Sequence, residues 1–145
     1  MNKRHERSRM VAALAAGSLA LATGMAMAQP SSALPAVQQQ GQVQYLTGGV
    51  GHDESEAIKA ASRSYPLALT FASSQGGAYL ANVQVTITDA QGNTVLSTAS
   101  DGPYLLVKLP AGRYKVSARF NDKEQTRQVS VSDQGTVRQT FTWNA

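Results

Sequence analysis

The chain has 145 residues, of which 42% are hydrophobic and 15% are charged, a composition that suits one globular domain with an apolar core. It contains no cysteine, which excludes disulfides, thiolate metal sites, a cysteine nucleophile and lipid attachment at a cysteine. The formal net charge of +4 is concentrated near the N-terminus, so it does not by itself indicate a nucleic-acid partner.

Residues 1–28 are predicted to be a cleavable secretory signal peptide. Four basic residues lie among the first nine, and an apolar run over 10–22 follows them. As a helix this run spans about 20 Å, too short for a hydrocarbon core of about 30 Å, so no stable membrane span is expected after cleavage. Ala26 and Ala28 suit a signal peptidase site, and cleavage is predicted after Ala28. Cleavage removes four of thirteen basic residues and one of nine acidic residues, which leaves a net charge of +1 and no expected nucleic-acid partner.

Residues 29–45 are rich in Gln, Pro, Ser and Ala and are predicted to form a flexible leader, with the folded domain over 46–145. A short first strand is predicted around Leu46. One helix is predicted from Asp53 to about Ser64, because Asp53 and Glu56 have the spacing of a capping box and apolar residues follow with a helical period. Pro66 ends this helix, since the residue before a proline avoids the α region.

From Pro66 onward the hydrophobic period changes to alternation, which indicates strands with one face in a core. Turns rich in Gly, Asp, Asn and Ser separate these strands at roughly ten-residue intervals, a pattern typical of an antiparallel sandwich. The prediction is a mainly β, antiparallel β-sandwich of about seven strands with one short N-terminal helix. The last strand carries an outward polar ladder over 136–142; at a sheet edge, this strand could pair with a partner strand.

Two motifs carry a family resemblance. The stretch over 82–92 ends a strand in a D-x-x-G turn, and the stretch over 109–116 reads L-P-A-G-R-Y-K-V. Both resemble the carboxypeptidase regulatory-like domains, and the resemblance covers about half of the chain that follows the signal peptide. It implies a prealbumin-like or Ig-like sandwich and a non-catalytic accessory or binding module of the cell envelope, with carbohydrate binding implied as an alternative.

The sequence contains few residues that could form a catalytic or metal-binding site. His52 is the one histidine after the predicted signal peptide, and the acidic residues near it fit a helix cap better than a metal site. No G-x-S-x-G elbow accompanies the serines. The hydroxyisourate hydrolases share the prealbumin-like fold, but their site needs further histidines and a C-terminal motif that this chain lacks. No cofactor and no metal are therefore expected.

Ligand binding is predicted instead at aromatic side chains near loops or strand ends, because aromatic rings can stack on a sugar or anchor a protein. The candidates are Tyr79, Tyr104 and Trp143, with His52 as a fourth residue; each aromatic could equally pack at one end of the sandwich.

The leading hypothesis is a non-enzymatic exported envelope protein, periplasmic or released, that binds another protein. The alternatives are a carbohydrate-binding module and a small enzyme of unknown type. An envelope protein or a glycan is the expected partner.

Overall fold

The computed structural model of the protein describes residues 33–145. The predicted signal peptide and residues 29–32 lie outside this described part. Between residues 33 and 145 no helix combines the length and the apolar character that crossing a membrane requires.

Nine strands, one α-helix and one 3-10 turn make up the described residues. In chain order they are β1 (Gln38–Gln40), β2 (Val43–Gly48), α1 (His52–Ala61), the 3-10 turn (Ser62–Ser64), β3 (Leu67–Ser73), β4 (Gln84–Asp89), β5 (Thr94–Ala99), β6 (Tyr104–Lys108), β7 (Gly112–Phe120), β8 (Lys123–Val131) and β9 (Val137–Trp143).

The strands form a five-stranded sheet in the order β1-β2-β6-β3-β9 and a four-stranded sheet in the order β5-β4-β7-β8. The predicted mainly β sandwich with one short helix is confirmed, with nine strands in place of about seven. One pair departs from the antiparallel prediction, because β9 runs parallel to β3. Alternating apolar residues identify a strand and its buried face but leave its direction open, so the sequence pattern could not reveal this pair.

The main core lies between the two sheets and is built by alternation. Leu67, Leu69 and Phe71 of β3 are fully buried, and so are Ile87 and Val116 from the facing sheet. Because successive side chains of a strand point to opposite faces, one face of each strand supplies this core.

The helix covers the other face of the five-stranded sheet. Ile58 is 1% exposed and contributes to a second apolar cluster with Leu46, Leu106 and Tyr104. The central strands β2, β3 and β6 are therefore apolar on both faces, as strands buried on both sides are. This second layer places α1 directly against the start of β6.

The predicted leader differs from the structure over its second half. β1 and the first half of β2 lie before residue 46, where Val43 and Tyr45 are each 6% exposed and point into the main core. The glutamines are also bonded: the side-chain amide of Gln40 accepts from the N–H of Ser97 at 2.7 Å and donates to its carbonyl at 3.0 Å. Gln40 thereby bridges β1 to the edge of the other sheet, and the folded domain begins before residue 46.

The predicted capping box is wrong. The N-cap of α1 is Gly51, with no side-chain cap, and the helix begins at His52. Glu54, one residue beyond the predicted cap, accepts from the backbone N–H groups of Gly49 at 2.7 Å and Val50 at 3.3 Å, so it fastens the preceding loop. Glu56 instead pairs with Lys59. The predicted helix end near Ser64 agrees with the 3-10 turn that extends α1 to that residue.

Side chains from the four-stranded sheet donate hydrogen bonds to the backbone of the edge strand β9. Arg127 on β8 donates to the carbonyl of Thr140 at 2.6 Å and lies 4.6 Å from the ring centroid of Phe141. Gln125 donates to the carbonyl of Thr142. β9 does lie at a sheet edge, as the pairing hypothesis required, but two of its outward carbonyls already have donors. A partner strand would have to displace these donors first.

Candidate binding site beside the helix

The structure places three of the four predicted site residues close to α1. Tyr79 lies in the loop after β3 and is 58% exposed, whereas Tyr104 begins β6 and is 8% exposed. His52 is the exposed first residue of α1 and shares a helix face with Ser55 and Lys59 by their spacing.

Trp143 lies elsewhere, in the main core. It is 4% exposed, and its indole Nε1 donates to the carbonyl of Lys123 at 2.9 Å. The rings of Phe71, Phe120 and Phe141 surround it at centroid distances of 6.3, 5.9 and 6.1 Å. Trp143 therefore packs in the core, the alternative that the sequence left open for each aromatic residue, and it does not join the other three candidates.

Tyr79 and Tyr104 form a ring pair at the surface. Their centroids lie 5.7 Å apart with an interplanar angle of 50°. An isolated β-bridge between Tyr79 and Ala72 holds the outer tyrosine on β3, and Gly49 lies behind the inner one. A Cβ atom on Gly49 would stand 3.0 Å from Cε2 of Tyr104, and the φ of Gly49 is +105°, so this position requires glycine.

Polar groups from α1 surround the tyrosine hydroxyls. Burial raises the pKa of Tyr104, and hydrogen bonding with Tyr79 raises it further, whereas hydrogen bonding with Ser55 acts in the opposite direction. The hydrogen bond from Lys59 to Glu56 raises the pKa of Lys59, and the charge of Tyr104 adds to this effect. The site therefore combines two phenol groups, a serine hydroxyl and an ammonium group. We call Ser55, Lys59, Tyr79 and Tyr104 the tyrosine patch.

Three buried tyrosines, one of them in the tyrosine patch, make the stability of the domain sensitive to alkaline pH. Burial raises the pKa of Tyr65, Tyr104 and Tyr114 above the ordinary tyrosine value of about 10. A raised pKa means that the folded state holds the phenolic proton more tightly than the unfolded chain does. The contribution to stability is complete below about pH 10 and is lost as the pH rises through the folded-state pKa values.

We therefore expect the free energy of unfolding to fall from about pH 10 upward, and to fall less steeply in a Tyr104→Phe variant. Urea unfolding at successive alkaline pH values, followed by circular dichroism, measures both slopes. Identical slopes for the variant and the parent would contradict the assignment of this sensitivity to Tyr104.

A cleft on the outer face of the four-stranded sheet was missed by sequence reasoning. It has a volume of about 640 Å³, and its lining includes Arg113, Lys115, Thr88 and Gln128. Alternation along β7 predicts that Arg113 and Lys115 point outward. The sequence does not show which residues of β4 and β8 lie beside them, because this depends on the register of the strands. In the chain from residue 33 onward, no group of three or more His, Asp or Glu side chains is placed to hold a metal ion.

The two packed sheets define the chain as a β-sandwich protein. Residues 71–144, slightly more than half of the chain, match the carboxypeptidase regulatory-like domain family, and the chain belongs to this family. The resemblance carried by the two turn motifs is thus confirmed. The family is a regulatory, non-catalytic one. The matched range includes Tyr79 and Tyr104 but begins after α1.

Among solved structures, the chain is similar to one titled "Crystal Structure of S.CueP", with 16% sequence identity and a TM-score of 0.40. The alignment covers 50% of this chain and 59% of that one, so this chain spans less than two thirds of that protein's length. No curated protein matches the sequence significantly.

Proposed function

We propose that this protein is an exported, non-catalytic accessory module of the cell envelope, and that it binds another protein through the tyrosine patch. The non-catalytic character of the family and the predicted signal peptide over 1–28 support the general role. The observation that carries the proposed site is the exposed tyrosine that stands on a buried one.

The exposure of Tyr79 supports a protein partner. In residues 33–145 the large apolar side chains that are exposed are Tyr79 at 58%, Val50 at 66% and Val37 at 51%. Of these three, Tyr79 belongs to the tyrosine patch. Tyrosine is enriched where proteins bind one another, because its ring buries a large area and has few torsions to immobilise. The bridge to Ala72 and the ring of Tyr104 hold Tyr79 in place before a partner arrives.

The hydroxyl groups at the same place favour a neutral glycan as a second candidate ligand. A sugar ring could stack on the exposed face of Tyr79 while its hydroxyls bond to Ser55, Lys59 and the phenol groups. This candidate predicts that the purified protein is stabilised by a glycan alone, since a ligand that binds only the native state raises the melting temperature.

Crosslinking in intact cells, followed by pull-down of the full chain, tests the protein-binding proposal. We expect one or more envelope proteins to be captured, and Tyr79→Ala to reduce their capture by about tenfold or more, as truncation of a central aromatic residue does. The chain recovered from the cells should begin at Gln29. Arg119→Gln is the matched control, because Arg119 is exposed on the opposite sheet.

Equal capture by the parent and Tyr79→Ala, or a chain recovered without any partner, would contradict binding at this patch. A thermal-shift series with neutral envelope glycans distinguishes glycan binding from protein binding. Stabilisation of the parent by such a glycan, and its loss in Tyr79→Ala, would assign the patch to a glycan instead of a protein.

A further inference from the structure

The outer face of the four-stranded sheet carries two cations without a carboxylate partner. Arg113 and Lys115 are exposed, outward-facing residues of β7, the strand between β4 and β8. Over residues 33–145 the ion pair formed is that of Lys59 with Glu56, so neither of these two cations forms an ion pair in this part of the chain. On the same strand Arg119 differs, because Glu124 lies directly opposite it on β8.

The cleft beside these cations has a size that suits a ligand. Its volume of about 640 Å³ falls within the range of about 300–1,000 Å³ typical of ligand sites. Asp89 lies at its rim, but Oδ1 of Asp89 accepts from the backbone N–H groups of Gln91 at 3.0 Å and Asn93 at 2.9 Å. These bonds hold one oxygen of the carboxylate in its own turn, and Arg113 and Lys115 outnumber this single acid in the lining.

The remaining lining mixes apolar Ala90, Tyr114 and Val129 with polar side chains that can supply hydrogen bonds. Register places Thr88 on one side of Lys115 and Gln128 on the other, and Ser130 lies opposite Arg113. The exposed large apolar side chains of residues 33–145 all lie outside the cleft lining, so a protein partner would find no apolar anchor here. The two cations and the polar side chains beside them are therefore the groups that can select a ligand here.

We propose that this cleft binds an acidic polysaccharide, a chain of sugars that carry carboxylate groups. Residues two apart on one strand face are separated by about 6.6 Å, so Arg113 and Lys115 can engage two acidic groups of one chain. The guanidinium of Arg113 suits a bidentate carboxylate contact, and Lys115 supplies a point charge. Thr88 and Gln128 flank Lys115 and can bond the sugar hydroxyls. This site is separate from the tyrosine patch.

Titration calorimetry of the full chain without residues 1–28 is the test, with polygalacturonate as the probe and dextran as the neutral control polymer. We expect polygalacturonate to bind and dextran not to bind. The double variant Arg113→Gln and Lys115→Gln should raise the Kd by about tenfold or more, because charge-assisted hydrogen bonds are lost. Higher salt should weaken binding of the parent.

Two further variants locate the binding site. Arg119→Gln, on the same strand and face, should leave the Kd within about twofold of the parent value, because Glu124 already opposes this charge. Tyr79→Ala should also leave it unchanged. A large loss of affinity in either variant would overturn the assignment to the cleft.

The identity of the ligand is tested by inorganic polyphosphate, which carries dense charge without sugar hydroxyls. Binding of polyphosphate as tight as that of polygalacturonate would overturn the polysaccharide proposal and leave general anion attraction. Failure of polygalacturonate to bind at low salt would overturn it as well. None of these outcomes depends on capture of a protein partner at Tyr79, so the two proposals can fail independently.

Discussion

Replacing Gly102 with alanine is expected to lower the free energy of unfolding by about 3 kcal/mol. Gly102 is buried in the turn before β6, against the end of β2, and a Cβ atom there would stand 2.6 Å from the carbonyl carbon of Gly48. The obstacle is backbone, so no side chain can rotate away. The turn cannot retreat easily either, because Thr47 accepts from the N–H of Asp101 at 3.0 Å and donates to the carbonyl of Tyr104 at 2.8 Å.

Urea unfolding followed by circular dichroism measures this loss, and Gly41→Ala is the matched control. Gly41 has a φ of +59° and nothing within 4 Å of an added Cβ, so its replacement incurs backbone strain without a clash. The control should cost about 1 kcal/mol. A Gly102→Ala variant no less stable than the control would show that β2 and this turn can separate without penalty.

The strands with alternating apolar residues could be predicted from the sequence, because this pattern depends only on residues close together in the chain. Val83, Val85 and Ile87 are buried as their period-two pattern required, and so are Tyr114 and Val116. The predicted leader was wrong over its second half because a local pattern is missing there: β1 consists of three glutamines, and only the first half of β2, with Val43 and Tyr45, lies before residue 46. The bonds of Gln40 to Ser97 join positions 57 residues apart, and no pattern in the sequence indicates such a contact.

The candidate sites could be predicted only in part, because they depend on which strands are neighbours. Tyr79 and Tyr104 were predicted separately, as aromatic residues near loops. Their contact arises because β3 pairs with β6, with Thr70 opposite Tyr104 and Ala72 bridged to Tyr79. Likewise, the outward positions of Arg113 and Lys115 follow from alternation, whereas the polar side chains that complete the cleft come from strands adjacent only in the fold.

Trp143 provides the other prediction of large effect, because of its two sequence-based interpretations, ligand binding and packing, the structure shows packing in the core. Trp143→Ala is expected to lower the free energy of unfolding by about 3–5 kcal/mol, as removal of a buried aromatic ring does. The loss leaves a cavity among Phe71, Phe120 and Phe141, and it leaves the carbonyl of Lys123 without its indole donor.

Circular dichroism is the measurement to use for this variant, since Trp143 is the one tryptophan of the chain and its fluorescence disappears with the substitution. Trp143→Phe separates the two contributions, because it keeps an aromatic ring in the core but loses the indole N–H. It should cost about 1–2 kcal/mol, the range for a lost hydrogen bond and a modest loss of packing. If Trp143→Ala unfolded at the same urea concentration as the parent, the ring would contribute little to the stability of the core, and this prediction would be wrong.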